Sequence, residues 1–218
     1  MFRDSLPAPH GEGPIKGGLK KLVSNQPGWQ TAVIGHLISG RNNKGTKGDP
    51  STHKDGTGRS LACWNIRTML DTTNNRRPWR RSALIAYELA RLNIDIAALS
   101  EVRFPEEGSL KENGAGYTLY WSGKPKEEPR HYGVGFMIKN SIASKLTNLP
   151  KGISDRIITL RLPISDTQQA TLVSVYAPTL LASPEDKSAF YSELRKVLLD
   201  VPRHDKCNHP RRFQCQGR

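Results

Sequence analysis

The sequence has little cysteine, few aromatic residues and no long apolar run. Its 218 residues include only Cys63, Cys207 and Cys215, and aromatic side chains make up 7% of the chain. An odd, sparse set of cysteines argues against a disulfide framework and favours a reducing compartment. No stretch approaches the ~18 apolar residues of a membrane helix. The opening MFRDSLPAPHGEGP lacks the apolar centre of a secretory signal. We therefore expect an intracellular protein without a membrane partner.

Acidic residues are also scarce relative to basic ones. The chain has 33 Lys and Arg against 20 Asp and Glu, a net charge of +13. Residues 1–60 hold nine basic and four acidic side chains, and residues 201–218 hold five and one, so the excess is concentrated in the flanks. A basic surface attracts phosphate backbones and gains from counterion release. Basic flanks that only keep the chain soluble are the alternative.

The first sixty residues differ in composition from the rest. They contain 11 of the 19 glycines and five prolines, together with a polar stretch, SGRNNKGTKGDPSTHKDGTGRS. Their one apolar patch, at residues 32–38, is too small to build a core. The composition predicts a mostly disordered basic segment.

From Leu61 onward the pattern is that of a folded domain. LACWNIRTML, IDIAALSEV, TLYWSG, YGVGFMI, RIITLRL and TLVSVYA read as strands. Between the first two, RPWRRSALIAYELARLN predicts a helix whose apolar face consists of Leu84, Ile85, Leu89 and Leu92. No internal repeat is present. This order of helices and strands predicts a mixed α/β sandwich.

A second helix is predicted near the end of this region, in ASPEDKSAFYSELRKVLLD. Ser183 is its expected N-cap, and Pro184 stands at the first helical position, where proline is favoured. The predicted apolar face consists of Phe190, Leu194, Val197 and Leu198.

Three polar residues stand at the ends of predicted strands, where α/β enzymes place working groups. They are Asn65 in ACWNIRTM, Glu101 in IAALSEVR and Tyr176 in LVSVYAPT. Each has an ordinary explanation. Glu101 could be a solvated strand end, Asn65 could cap a turn, and Tyr176 could be a core ring with a satisfied hydroxyl.

Taken together, the motifs resemble a known family. The series CWNIRTM, ALIAYELARLNIDIAALSEVRFPEEG, GAGYTLYWSGK, GVGFMIKN, LPKGISDRIITLRLP and SVYAPT resembles the endonuclease domain of RTE/BovB-type retrotransposons, within the endonuclease/exonuclease/phosphatase superfamily. The likeness runs from about residue 61 to about residue 206. It implies an α/β fold, the four-layered α/β sandwich of the DNase I-like type. It also implies metal-dependent hydrolysis of DNA phosphodiesters and an intracellular, nuclear location.

The resemblance assigns roles to the three strand-end residues. Glu101 matches the glutamate that holds the catalytic Mg²⁺, which Mn²⁺ can replace. Asn65 matches an asparagine that orients the phosphate and the metal-binding acids, and Tyr176 matches a tyrosine that bonds the scissile phosphate region. A hard cation suits this chemistry because it prefers carboxylate oxygen and water and neutralises charge on phosphorus.

Two arginines near these strand ends are candidate contacts to the DNA backbone. Arg67 and Arg103 each follow a strand end closely, and simple surface charge is the alternative for both. His131, which precedes GVGF, has no role implied by the resemblance. The sequence does not predict an oligomeric state.

The family pattern stops at residue 206. The family continues with a strand ending in Gly-Asp-Phe-Asn-Ala and later with an Asp–His pair that activates water, whereas this chain reads CNHPRRFQCQGR at 207–218. We therefore expect a domain incomplete at its C-terminus and weakly active or inactive. The alternative is a non-catalytic remnant that binds nucleic acid. Cys207, His209 and Cys215 are too few and too oddly spaced for a zinc site.

The tail itself generates a prediction. Read one nucleotide forward, the codons for residues 207–218 permit Val-Ile-Ile-Leu-Gly-Asp-Phe-Asn-Ala-Arg-Val, which is the missing strand and motif. We expect sequencing of the transcript to show a one-nucleotide slip near Cys207. An intact codon register there, with no downstream frame encoding the motif, would contradict this hypothesis.

Overall fold

A computed structural model describes residues 58–71, 80–165 and 168–202, together with the backbone of three short strands farther upstream. The upstream strands are β1 (Lys20–Val23), β2 (Thr31–Gly35) and β3 (Ser51–Lys54). The strands of the main region are β4 (Ser60–Asn65), β5 (Ile96–Ser100), β6 (Glu107–Glu112), β7 (Tyr117–Ser122), β8 (Val134–Lys139), β9 (Lys151–Ser154), β10 (Ile157–Pro163) and β11 (Gln169–Tyr176). The helices are α1 (Arg81–Arg91), the one-turn α2 (Asn140–Ala143) and α3 (Pro184–Asp200).

The strands form two sheets. The first has the order β3-β4-β5-β8-β7-β6, and within it only β4 and β5 run parallel. The second has the order β1-β2-β11-β10-β9 and is antiparallel throughout. Because β4 and β5 are parallel neighbours, their C-terminal ends lie side by side at one edge of the first sheet.

The inner core lies between the two sheets. Alternate residues of a strand face opposite sides of a sheet, so each strand that faces the partner sheet contributes every second side chain. The buried side chains of this core are Leu61, Cys63, Ile96, Ala98, Val134, Phe136 and Ile138 from the first sheet, and Ile158, Leu160, Leu162, Leu172 and Tyr176 from the second. Burial also raises the pKa of the Cys63 thiol to about 12.

Each sheet is covered on its outer face by a helix. The intervening residues Ala62, Ala97, Leu99 and Met137 of the first sheet pack with Ala86 and Leu89 of α1. Ile157, Val173 and Val175 of the second sheet pack with Phe190 and Val197 of α3. The layers are therefore helix, sheet, sheet, helix, which confirms the expected four-layered α/β sandwich.

Helix α3 begins and packs as the sequence predicts. The Ser183 side chain accepts a hydrogen bond of 3.0 Å from the backbone N–H of Asp186, and Pro184 opens the helix. Phe190 and Val197 are buried, and Leu194 and Leu198 pack beside them.

The predicted face of α1 is only partly right. The residues of α1 that are buried are Ser82, Ala83, Ala86 and Leu89, whereas Leu84 is 38% exposed. Small residues face the sheet and allow the helix backbone to approach it closely. The largest side chains of a helix therefore do not always mark its buried face, and this explains the error.

The folded domain also extends upstream of residue 61. Strand β2 includes residues 32–34 of the apolar patch and pairs with β11, and β3 pairs with β4. A short strand can form there because an existing sheet supplies its hydrogen-bond partners. The rest of the expectation for residues 1–60 stays a prediction, since, apart from these strands and residues 58–60, that segment lies outside the described parts. Within those parts, no helix is both long and apolar enough to cross a membrane.

The corrected face of α1 generates a stability prediction. Leu89 is fully buried, so we expect Leu89→Ala to lower the free energy of unfolding by about 2–5 kcal/mol through lost burial and a cavity. The matched control is Leu84→Ala, which we expect to cost about 1 kcal/mol or less because Leu84 is half exposed. Urea denaturation followed by circular dichroism measures both. Equal costs, or a larger cost at Leu84, would contradict this packing.

Candidate active site

Three strand ends meet at one edge of the sandwich. Asn65 closes β4 opposite Ser100, the last residue of the parallel neighbour β5, and Glu101 follows directly. Tyr176 is the last residue of β11, in the second sheet. The three residues proposed from the sequence therefore lie together, although the chain separates the outer two by more than a hundred residues.

The Glu101 carboxylate is the point on which these residues converge. Its Oε1 accepts a hydrogen bond of 2.8 Å from Asn65 Nδ2 and one of 3.0 Å from the Tyr176 hydroxyl. Its Oε2 accepts from Arg103 Nη2 at 2.9 Å, as part of an ion pair. The side chain is only 15% exposed, and a charge so far withdrawn from water requires such partners. Glu101 is therefore not a solvated strand end.

The backbone around Glu101 is unusual. Glu101, Arg103 and Arg67 have φ angles of 59°, 62° and 63°, in the left-handed region that side chains other than glycine rarely adopt. Residues 101–103 are held in this conformation by hydrogen bonds from Val102 N–H to the Gly133 carbonyl and from Arg103 N–H to the Tyr132 carbonyl. Strained backbone conformations persist where contacts with the surrounding structure hold them in place, and they are common at functional sites.

Asn65 uses both ends of its amide. Its Oδ1 accepts a hydrogen bond of 2.9 Å from the backbone N–H of Arg67, while its Nδ2 donates to Glu101. Because an ionised carboxylate only accepts, this pairing fixes which way the amide points. Asn65 therefore caps a turn, which was the alternative that the sequence left open, and it also orients Glu101.

Tyr176 is both a core residue and a part of the site. Its ring is 5% exposed and belongs to the inner core. Burial raises the pKa of its hydroxyl, and the negative charge of Glu101 and the hydrogen bond to it raise this pKa further. The hydroxyl therefore stays protonated and remains a hydrogen-bond donor at neutral pH.

The two candidate arginines differ in their surroundings. The Arg67 side chain is exposed beside Asn65, as a contact to a ligand from solution would require. The Arg103 side chain, 35% exposed, instead turns inward to the Glu101 carboxylate. The exposed His131 lies with its ring edge-on to Tyr132, at a centroid distance of 6.2 Å.

Sequence reasoning missed two residues of this site, Arg156 and Tyr132. The Arg156 guanidinium lies 3.7 Å from the centroid of the Tyr132 ring, and its Nη1 donates to the Tyr176 carbonyl at 3.1 Å. The register of the β10–β11 hairpin would have placed residue 156 beside residue 176. No comparable signal in the sequence points to Tyr132.

The site offers limited ligation for a divalent cation. Glu101 presents about four lone-pair positions, and three of them accept the hydrogen bonds described above, which leaves one on Oε2. Neither here nor elsewhere in residues 58–71, 80–165 and 168–202 is a group of three or more His, Cys, Asp or Glu side chains placed to hold a metal. The arrangement fits a cation bound through one carboxylate, with water and phosphate as the other ligands, a mode that Mg²⁺ commonly adopts.

Comparisons with known proteins agree with this architecture. A profile described as "Endonuclease/Exonuclease/phosphatase family" matches residues 62–207. Craniofacial development protein 2 of Bos taurus is 27% identical over 147 residues, which cover 66% of this chain and 22% of that protein. Its counterpart in Tragulus javanicus is 26% identical over 170 residues, covering 73% of this chain and 27% of that protein. The chain thus spans about a quarter of the length of these relatives. No solved structure gives a significant match.

Asp155, which stands immediately before Arg156, generates a prediction about pH. Its buried Oδ2 has no hydrogen-bond partner among the described residues, and burial raises the carboxyl pKa above the ordinary 3.8, although Arg156 and Lys124 oppose the shift. Ionisation of Asp155 therefore destabilises the fold, a penalty that is absent below the ordinary pKa and complete above the raised one.

We expect Asp155→Asn to raise the melting temperature at pH 7 and to have little effect near pH 3.5, in scanning calorimetry across this range. Glu127→Gln, at an exposed loop position, is the matched control and should show no such trend. A lower melting temperature for Asp155→Asn at pH 7 would mean that the attraction of Asp155 to the charges of Arg156 and Lys124 outweighs the cost of its burial.

Proposed function

Because the chain belongs to the endonuclease/exonuclease/phosphatase family, we propose that its site binds and hydrolyses phosphodiesters of DNA in a metal-dependent reaction. The observation that carries the proposal is the convergence of Asn65 and Tyr176 on the Glu101 carboxylate. Two uncharged donors on Oε1 fix the orientation of the carboxylate, while Oε2 pairs with Arg103 and keeps one lone-pair position open. A carboxylate prepared in this way suits a hard cation.

Glu101 is the proposed ligand of the cation, Mg²⁺ with Mn²⁺ as a substitute. When bound, the ion supplies positive charge that offsets the negative charge developing on the phosphoryl oxygens. Asn65 keeps Glu101 in position and presents its amide next to the phosphate. The Tyr176 hydroxyl has a single proton, which it donates to Glu101 Oε1, so to bond the scissile phosphate it would turn from Glu101 to a phosphate oxygen once substrate is present.

DNA is the proposed substrate because the chain carries strong positive charge and an exposed guanidinium at the site. The net charge is +13, and Arg67 extends into solvent beside Asn65. Phosphate contacts of this kind give affinity without reading sequence. Arg103, bonded to Glu101 Oε2, adds a second guanidinium to the same basic edge. We further infer from the motif series that the domain descends from a retrotransposon endonuclease.

A second candidate function is binding of nucleic acid without catalysis. The observation that favours it is the single carboxylate at the site and the lack of a three-ligand group within the described residues. Members of the family use additional acids and an Asp–His base. With one carboxylate ligand and no three-ligand group among the described residues, turnover at this site is expected to be very low.

A plasmid assay separates the two functions. We expect the chain to bind DNA with an affinity that falls steeply as salt rises, and, if it is catalytic, to nick supercoiled plasmid slowly in Mg²⁺. Any nicking should disappear in Glu101→Ala and persist in the matched surface variant Glu127→Ala. Binding without nicking supports the second candidate.

Two results would contradict the proposal. Absence of salt-dependent DNA binding would remove DNA as the partner. Nicking that survives Glu101→Ala unchanged would place the chemistry elsewhere or in a contaminant.

A further inference from the structure

We propose that Arg156 is a positioning residue that orients both oxygens of the Glu101 carboxylate, acting through Tyr176 on one side and Tyr132 on the other. This inference rests on the proposed role of Glu101 as the metal ligand. It concerns a residue that touches neither Glu101 nor any ligand directly.

The first connection runs from Arg156 to Tyr176. The backbone N–H of Tyr176 donates to the Arg156 carbonyl at 2.8 Å, and Arg156 Nη1 donates back to the Tyr176 carbonyl at 3.1 Å. The Arg156 backbone therefore holds the Tyr176 N–H, and the Arg156 side chain holds the Tyr176 carbonyl, at the end of β11, where regular pairing with β10 stops. The Tyr176 hydroxyl donates to Glu101 Oε1, so a shift at Arg156 moves this donor.

The second connection runs from Arg156 through an aromatic pair. Its guanidinium lies 3.7 Å from the centroid of the Tyr132 ring and 5.7 Å from that of Tyr176. The two rings are themselves 5.9 Å apart, tilted at 46°. A guanidinium over an aromatic face is held by the ring's electrostatic field. Arg156 thus sets the position of Tyr132 as well as that of Tyr176.

Tyr132 connects this stack to the other carboxylate oxygen. Its backbone carbonyl accepts the N–H of Arg103, which has a left-handed backbone conformation. The Arg103 side chain donates to Glu101 Oε2 at 2.9 Å. Two routes therefore lead from Arg156 to Glu101, one to each oxygen. If Arg156 only stabilised the start of β10, it would need neither the contact of its guanidinium with the Tyr132 ring nor its hydrogen bond to the Tyr176 carbonyl.

The first test needs no metal. In the full chain labelled with ¹³C, the chemical shift of the Glu101 side-chain carboxyl, assigned by its loss in Glu101→Gln, reports the hydrogen bonds of its two oxygens. We expect Arg156→Ala to shift this signal clearly and Arg156→Lys to shift it less, because lysine keeps the charge over the ring. Tyr132→Leu should shift it, and Tyr132→Phe, which keeps the ring, should not.

Two controls separate positioning from a general loss of stability. Arg195→Ala, at an exposed position on α3, should leave the Glu101 signal unchanged. Melting temperatures are measured for every variant. If Arg156→Ala fails to fold, Arg156→Lys and the pair Tyr132→Leu and Tyr132→Phe decide the question. A Glu101 carboxyl signal that is unchanged in every folded variant would overturn the inference.

The second test uses Mn²⁺ alone, titrated while the paramagnetic broadening of amide signals near residues 65–67 and 101–103 is followed. We expect Arg156→Ala to weaken Mn²⁺ binding by about 10-fold, the scale of changes in groups that support a metal ligand, and Tyr132→Phe to leave it unchanged. Glu101→Gln should abolish the broadening.

The two proposals fail in different ways. Broadening that persists in Glu101→Gln, or none in the unaltered chain, contradicts the proposed metal site. The inference on Arg156 is then decided by the carboxyl shift. A different result separates the two. If Glu101→Gln loses Mn²⁺ binding while Arg156→Ala and Tyr132→Leu bind Mn²⁺ as the unaltered chain does, the inference on Arg156 is overturned and the proposed function stands.

Discussion

The arrangement of this domain depends on one carboxylate that both sheets hold. Glu101 ends a buried strand of the first sheet and accepts hydrogen bonds from Asn65 of the same sheet and from Tyr176 of the other. A charge this deeply placed would destabilise the fold if its partners were absent. The positions of three strand ends and the strained turn at residues 101–103 are therefore linked to each other. The edge of the sandwich that carries Glu101 is a prepared site whose geometry the two sheets determine jointly.

Much of this fold could be predicted from the sequence, and the exceptions have physical reasons. The limits of β4, β5 and α3 follow from apolar runs, strand-end polar residues and the cap at Ser183. The buried face of α1 does not, because close packing on the sheet selected Ala83 and Ala86 over the exposed Leu84. Strand β2 escaped prediction because its stability depends on pairing with β11, a long-range contact that local composition does not contain.

The candidate site also combines residues that could be predicted from the sequence with residues that could not. Residue type and position at strand ends, supported by a family resemblance, led to Asn65, Glu101 and Tyr176. The ion pair of Arg103 with Glu101 was not predicted, since it requires a left-handed backbone that turns the side chain inward. Arg156 and Tyr132 contribute through contacts between segments far apart in the chain. The register of the β10–β11 hairpin reveals the contact of Arg156 with Tyr176, whereas no pattern in the sequence reveals the contact with Tyr132.

The central claim is that Glu101, held between Asn65 and Tyr176, is the ligand of a divalent cation. The most direct measurement is a crystal structure of the full chain grown with Mn²⁺ and recorded at a wavelength where manganese scatters anomalously. We predict an anomalous peak within coordination distance of the Glu101 carboxylate, with Asn65 and Tyr176 still hydrogen-bonded to that side chain. A fully occupied manganese bound elsewhere, with none at Glu101, would contradict it.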